Sequence, residues 1–164
     1  MAILPLPLSL LLATALAAQT GPVGSWKLAQ APNLTEVIET ATASMNFLTR
    51  PIARGRLKKT NSAYQRIRIG RTASEVTIQY DERQPQHMPA NGQAVPWKRE
   101  DGEAFLLSAR LDRDDLIQTY KAEDGERSNV FHLDPSTGIL TLTVTVKSGK
   151  LPKPITYALT YQAN

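Results

Sequence analysis

Within Ile139-Leu140-Thr141-Leu142-Thr143-Val144-Thr145-Val146-Lys147, residues 140–146 alternate apolar and hydroxyl side chains without a break. Period two is the signature of a strand with one buried and one wet face. Leu140, Leu142, Val144 and Val146 take one face, and Thr141, Thr143 and Thr145 the other. The same pattern recurs at Ile155, Tyr157, Leu159 and Tyr161, and again at Phe105, Leu107, Ala109 and Leu111. Between such runs stand turn signals: Ala90-Asn91-Gly92, Glu100-Asp101-Gly102, Asp112-Arg113-Asp114, Glu123-Asp124-Gly125, Asp134-Pro135-Ser136-Thr137-Gly138 and Lys147-Ser148-Gly149. Their spacing of about ten residues indicates an antiparallel up-and-down meander. Strands are expected near 63–70, 75–81, 94–98, 104–111, 115–121, 128–134, 139–147 and 154–162. About eight strands, each with one apolar face, satisfy their edges best by curling closed. The expected fold is mainly β, a barrel or half-barrel. A two-sheet sandwich is the competing arrangement.

Upstream of the meander the period changes to that of a helix. Asn33 is placed to cap, Glu36 follows three residues later, and Leu34, Val37, Ile38, Ala41, Met45 and Leu48 keep helical spacing. Thr49 and Pro51 mark a second start, continued through Ile52, Arg56 and Lys59 to Asn61. The segment 34–60 is therefore expected to be a helix or helix-turn-helix lid. Residues 19–33 read as an irregular lead.

The chain has 164 residues. Residues 3–18 are an apolar run closing on Ala15-Leu16-Ala17, the small-x-small pattern of a cleavable export signal. Removing 1–18 leaves about 146 residues, 19–164, enough for one domain. The expected address is periplasmic or secreted, with no integral membrane segment after the signal is removed. Cysteine is absent, which excludes a disulfide scaffold, a thiol enzyme and a lipid-modified N-terminal cysteine.

Charge is segregated. Between Glu39 and Glu75 there is no acid but eight bases: Arg50, Arg54, Arg56, Lys58, Lys59, Arg66, Arg68 and Arg71. Such a run concentrates anions such as lipid head groups, envelope polymers or an acidic partner. The other reading is a solvated face paired with the acidic turns. Nucleic acid is not expected, because only Tyr64 interleaves the run as a stacking residue.

His132 and Asp134 share a strand face with Ser128, but residues four apart on a strand are over about 12 Å from one another, too far for nucleophile activation. His87, expected in a loop, gives no metal-ligand spacing with it. No catalytic residue, metal or cofactor is expected. The hydroxyl stripe of Thr141, Thr143 and Thr145 reads as an outer face. Trp97 either closes a barrel mouth or covers the core.

The face assigned to the interior also carries Tyr80, Gln118, Tyr120, Asn129, Tyr157 and Tyr161. Several phenols and two amides inside a barrel need partners, and they suit a cavity that orients a ligand at a few polar points.

Gly24-Ser25-Trp26-Lys27-Leu28 resembles the Gly-x-Trp opening of lipocalins and fatty-acid-binding proteins. The chain as a whole is similar to uncharacterised secreted bacterial lipocalin-like proteins of the calycin type. That likeness runs through Asn46-Phe47-Leu48-Thr49-Arg50-Pro51-Ile52-Ala53-Arg54-Gly55-Arg56-Leu57, Arg99-Glu100-Asp101-Gly102 and Leu151-Pro152-Lys153-Pro154. The resemblance implies a barrel that encloses a small apolar molecule. In fatty-acid-binding proteins an Arg-x-Tyr pair in the last strand holds the ligand carboxylate. Here Leu159-Thr160-Tyr161 keeps the tyrosine and lacks the arginine. The expected ligand is thus largely apolar and uncharged, held by a binding protein and not an enzyme. The alternative is an envelope-associated module that uses the basic 50–71 stretch.

Overall fold

The structure is a computed structural model that describes residues 21–164. The export signal expected at 1–18 lies outside the described residues. The chain runs β1 (Gly24–Gln30), α1 (Leu34–Thr42), α2 (Arg50–Thr60), β2 (Arg66–Arg71), β3 (Glu75–Tyr80) and β4 (Gln86–Pro89). It continues through β5 (Val95–Lys98), β6 (Ala104–Asp112), β7 (Asp115–Lys121), β8 (Gly125–Leu133), β9 (Leu140–Ser148) and β10 (Ile155–Ala163).

All ten strands form one antiparallel sheet in the order β4-β3-β2-β1-β10-β9-β8-β7-β6-β5. The first strand pairs with the last, Trp26 opposite Ala163 and Leu28 opposite Tyr161. This pairing rolls the meander into a nearly closed barrel. A seam remains between β4 and β5, where no ladder forms. Asn91 bridges to Arg110 beside it, and β4 lies against β6.

Two strands are corrections to the sequence reading. Residues 24–30, expected to be irregular, form β1. Only Trp26 and Leu28 carry its apolar face, too few for a period to stand out. The other is β4, just four residues ending in proline, which places His87 on an exposed strand position and not in a loop. The helical segment is also divided earlier than expected. Asn33 Oδ1 does accept from the Glu36 N–H, at 3.4 Å, but α1 ends at Thr42. Met45 and Leu48 fall in the connection to α2, and Leu48 is exposed.

The inner face is as the alternation requires. Leu140, Leu142, Val144, Leu159 and Tyr161 are all fully buried, and Leu107, Leu116 and Phe131 join them. Thr141, Thr143 and Thr145 lie on the outer face, half-buried. Burial of this largely aliphatic interior is the main stabilising term of the fold. Leu159 has no exposed surface and pairs with Leu142 across the ladder. Leu159→Ala should therefore cost about 3 kcal/mol through the cavity it leaves. Urea unfolding should show a lower midpoint with an unchanged slope.

Candidate functional site

The turns β3–β4, β5–β6 and β7–β8 gather at one end of the barrel with the C-terminal end of α2, around a cavity of about 270 Å³. The end of α2 is fixed at three points. Lys59 pairs with Asp101 on the β5–β6 turn at 3.2 Å. The Thr60 carbonyl accepts from Arg127 Nη1 at 2.8 Å, and Tyr157 donates to Asn61 Oδ1 at 2.9 Å. Asp101 is itself held by Arg99, which keeps its carboxyl well below the usual range.

Tyr64 enters the site because Asp81 adopts a left-handed backbone (φ 50°) and accepts from the N–H groups of Gln65 and Arg66, at 2.8 and 2.9 Å. This clamp brings Tyr64 onto Tyr80, with ring centroids 4.5 Å apart. Trp97, Phe105 and Tyr120 form a second aromatic group, with centroids 5.8–6.1 Å apart. At the start of β8 the backbone runs close to β9. A Cβ on Gly125 would meet the Lys147 carbonyl at 2.9 Å, so only glycine fits there without a shift.

Between the aromatic groups runs a chain of polar side chains. Tyr80 donates to Gln118 Oε1 at 2.6 Å, Gln118 Nε2 donates to Gln86 Oε1 at 2.7 Å, and Tyr120 donates to the same Gln86 oxygen at 2.6 Å. Asn129 Nδ2 reaches both Tyr80 and Gln118 at 3.0 Å. Arg127 Nε donates to Asn129 Oδ1 at 2.9 Å. The remaining guanidinium nitrogen, Arg127 Nη2, is buried and has no partner among the described residues. No carboxylate pairs with Arg127 among the described residues, although it lines the cavity. Burial works against its charge, while the four tyrosines around it hold its pKa above the ordinary arginine value. The site therefore contains a buried, charged donor with an unused hydrogen.

Of the six interior residues read from the sequence, Tyr80, Gln118, Tyr120 and Asn129 come together in this one network. Of these, Tyr80, Tyr120 and Asn129 line the cavity. Tyr157 turns to Asn61. Tyr161 is fully buried outside the cavity lining, its hydroxyl without a partner among the described residues. The sequence reading missed Gln86, which lies on the unforeseen β4, and Arg127. Trp97 lies at the cavity wall.

The basic stretch divides. Arg50 donates to the Met45 carbonyl at 2.7 Å and Arg54 to Thr42 at 3.0 Å, both within the helical pair. Arg66 pairs with Glu82 and Arg68 bonds Gln79. Arg71 lies near Gly21, with Nη1 buried. Arg56 and Lys58 make no hydrogen bond or ion pair among the described residues. Counting Lys59 on Asp101, five of the eight bases thus have local partners. His132 is exposed and meets Asp115 at 2.7 Å, with Asp134 engaged by Ser136 instead. Among the described residues no three His, Asp or Glu side chains group to hold a metal. No helix there is long and apolar enough to cross a membrane.

Comparison with known proteins agrees at the level of fold. No family model matches the chain, and no curated protein matches it in sequence. Among solved structures it is similar to a REP1-NXSQ fatty acid transporter, with TM-score 0.56 and 13% identity over 87% of this chain and 95% of that one. The wild-type fluorescent protein UnaG gives 0.54 and 16%, over 87% and 96%. A Schistosoma mansoni fatty acid binding protein in complex with arachidonic acid gives 0.53 and 18%, over 87% and 95%.

Burial raises the pKa of Tyr120 from 10.0 to about 12, and it pushes Tyr80 well above its ordinary value. The neutral phenols are thus favoured by the folded state. Their contribution is fully present below pH 10 and is lost as pH rises toward 12. Stability measured by urea unfolding should fall across that window, and Tyr120→Phe should make the fall shallower.

Proposed function

We propose that this protein binds a small, largely apolar molecule in the barrel mouth, with the molecule's one anionic group seated on Arg127. The observation that carries this reading is a cavity lined by Arg127, whose buried Nη2 has no partner and which pairs with no carboxylate among the described residues. A buried donor left without a partner is costly, and an anionic ligand removes that cost. The sequence pointed to an uncharged ligand because the last strand lacks an arginine. Arg127, projecting from β8, supplies the cation by another route. The cavity volume, about 270 Å³, is near the low end of the usual range for ligand sites, about 300–1,000 Å³, which favours a compact ligand. Fold-level likeness to fatty acid carriers supports an enclosed apolar ligand. Binding is favoured over catalysis because the solved structures of similar fold include a fatty acid transporter and a fatty acid binding protein.

The test is calorimetric titration of the full chain with a small aromatic or aliphatic carboxylate. Arg127→Met should weaken carboxylate binding about 10- to 100-fold, the usual worth of a hydrogen bond to a charged group. A melt of the variant controls for loss of the Thr60 contact. Equal affinity in the folded variant would remove the anionic assignment.

A second reading rests on the α1–α2 connection. Phe47, Leu48 and Ile52 are 74%, 67% and 65% exposed, and Arg56 and Lys58 are exposed on α2 just beyond them. Exposed apolar side chains beside unpaired bases suit an anionic lipid surface better than a polymer or an acidic protein. Vesicles containing about one third phosphatidylglycerol should retain the protein at low salt, and vesicles of phosphatidylcholine alone should not. Changing Phe47, Leu48 and Ile52 together to Ser should abolish retention. Retention unaffected by these changes would exclude the surface.

A further inference from the structure

The apolar side chains around the cavity differ in proportion from those of the rest of the interior. Elsewhere the core is mostly aliphatic, with Ile67, Ile69, Val76, Ile78, Leu107 and Leu116 among its members and Trp26, Phe131, Tyr157 and Tyr161 as its buried aromatics. At the cavity the apolar lining is Tyr64, Tyr80, Trp97, Phe105 and Tyr120, with only Ala122 and Val146 as aliphatic members. Half of the chain's aromatic residues, five of ten, stand at this one place. A barrel shaped around a flexible hydrocarbon chain has no need of such enrichment, since branched aliphatic side chains pack it as well. Aromatic faces and edges gain most from another flat π-system, by stacking and edge contacts beyond the area buried.

The rings are also held in place. Arg83 lies over Tyr64 at 5.2 Å and Arg99 over Phe105 at 5.4 Å. The Tyr80 and Tyr120 hydroxyls are fixed by Gln118 and Gln86, so neither ring is free to swing aside. Tyr64 and Tyr80 come from the β2–β3 side of the open seam, and Trp97, Phe105 and Tyr120 from the β5–β7 side. The two groups therefore face the cavity from opposite sides of the gap in the sheet. A rigid, flat partner matches walls that are themselves rigid and flat, and it loses less conformational entropy on binding than a chain with many rotors.

We infer that the ligand is a planar aromatic or conjugated monoanion, its ring system between the two aromatic groups and its anionic substituent on Arg127. This deepens the binding assignment above and rests on it.

The full chain would be titrated with 2-naphthoate, with the saturated straight-chain acid of the same carbon number, and with 2-naphthamide. Naphthoate is expected to bind at least about tenfold tighter than the saturated acid, and tighter than the uncharged amide by a similar factor. Trp97→Leu should weaken binding of naphthoate more than binding of the saturated acid, and so shrink the preference between them. Trp97 is half-buried on the short strand beside the seam, and a melt confirms that the variant folds. A saturated acid that binds as tightly as naphthoate, or a preference unchanged by Trp97→Leu, would overturn the aromatic inference and leave the carrier assignment standing. Failure of both acids to bind would overturn both.

Discussion

The seam between β4 and β5 is the constraint on which the rest of the structure depends. A closed barrel satisfies every backbone donor through its ladders, but here two neighbouring strands do not pair. Side chains do the joining instead. Gln86 on β4 accepts from Gln118 and Tyr120 on β7, and Gln118 passes the connection to Tyr80 on β3. Gln86, Gln118 and Tyr80 are buried and Tyr120 is half-buried, so each buried group would cost about 1–3 kcal/mol if left unpaired. The network is therefore stable only as a whole, which makes it a rigid brace across the gap. It also keeps the gap from collapsing, and the cavity is the space so preserved.

Arg127 is the point where this brace meets the helical lid. One nitrogen holds Asn129 in the network, a second holds the Thr60 carbonyl at the end of α2, and the third is unused. Apart from Leu57, α2 buries little apolar surface, so its position depends on this contact, on the Tyr157–Asn61 bond and on the Lys59–Asp101 pair. A ligand anion on the third nitrogen would share one guanidinium with the lid. Occupancy of the cavity and the setting of α2 would thus be linked through one side chain.

Most of the architecture could be read from the sequence because its strands are long and alternate cleanly. Runs such as Leu140–Val146 and Ile155–Tyr161 fix both the strand and its inner face. β1 was not legible because two apolar residues in seven make no period. In β4, Gln86 and His87 precede Met88 and Pro89, with nothing to distinguish them from a loop. That omission hid Gln86, the central acceptor of the network. Arg127 was legible in principle, since it has the same parity as Asn129 and Phe131 and must face inward with them. A charge there reads as solvent-facing, and only the structure shows its Nη2 to be buried. The partners of the basic stretch were not legible for a related reason. Linear proximity does not determine which bases point at carbonyls, acids or water.

The account stands or falls on what the unused nitrogen of Arg127 holds. A crystal structure of the full chain with 2-naphthoate would decide it. The account predicts the carboxylate within hydrogen-bond distance of Arg127 Nη2, with the ring system between the Tyr64–Tyr80 pair and the Trp97–Phe105–Tyr120 group. A naphthoate bound elsewhere, with Arg127 contacting only water and its present partners, would contradict it.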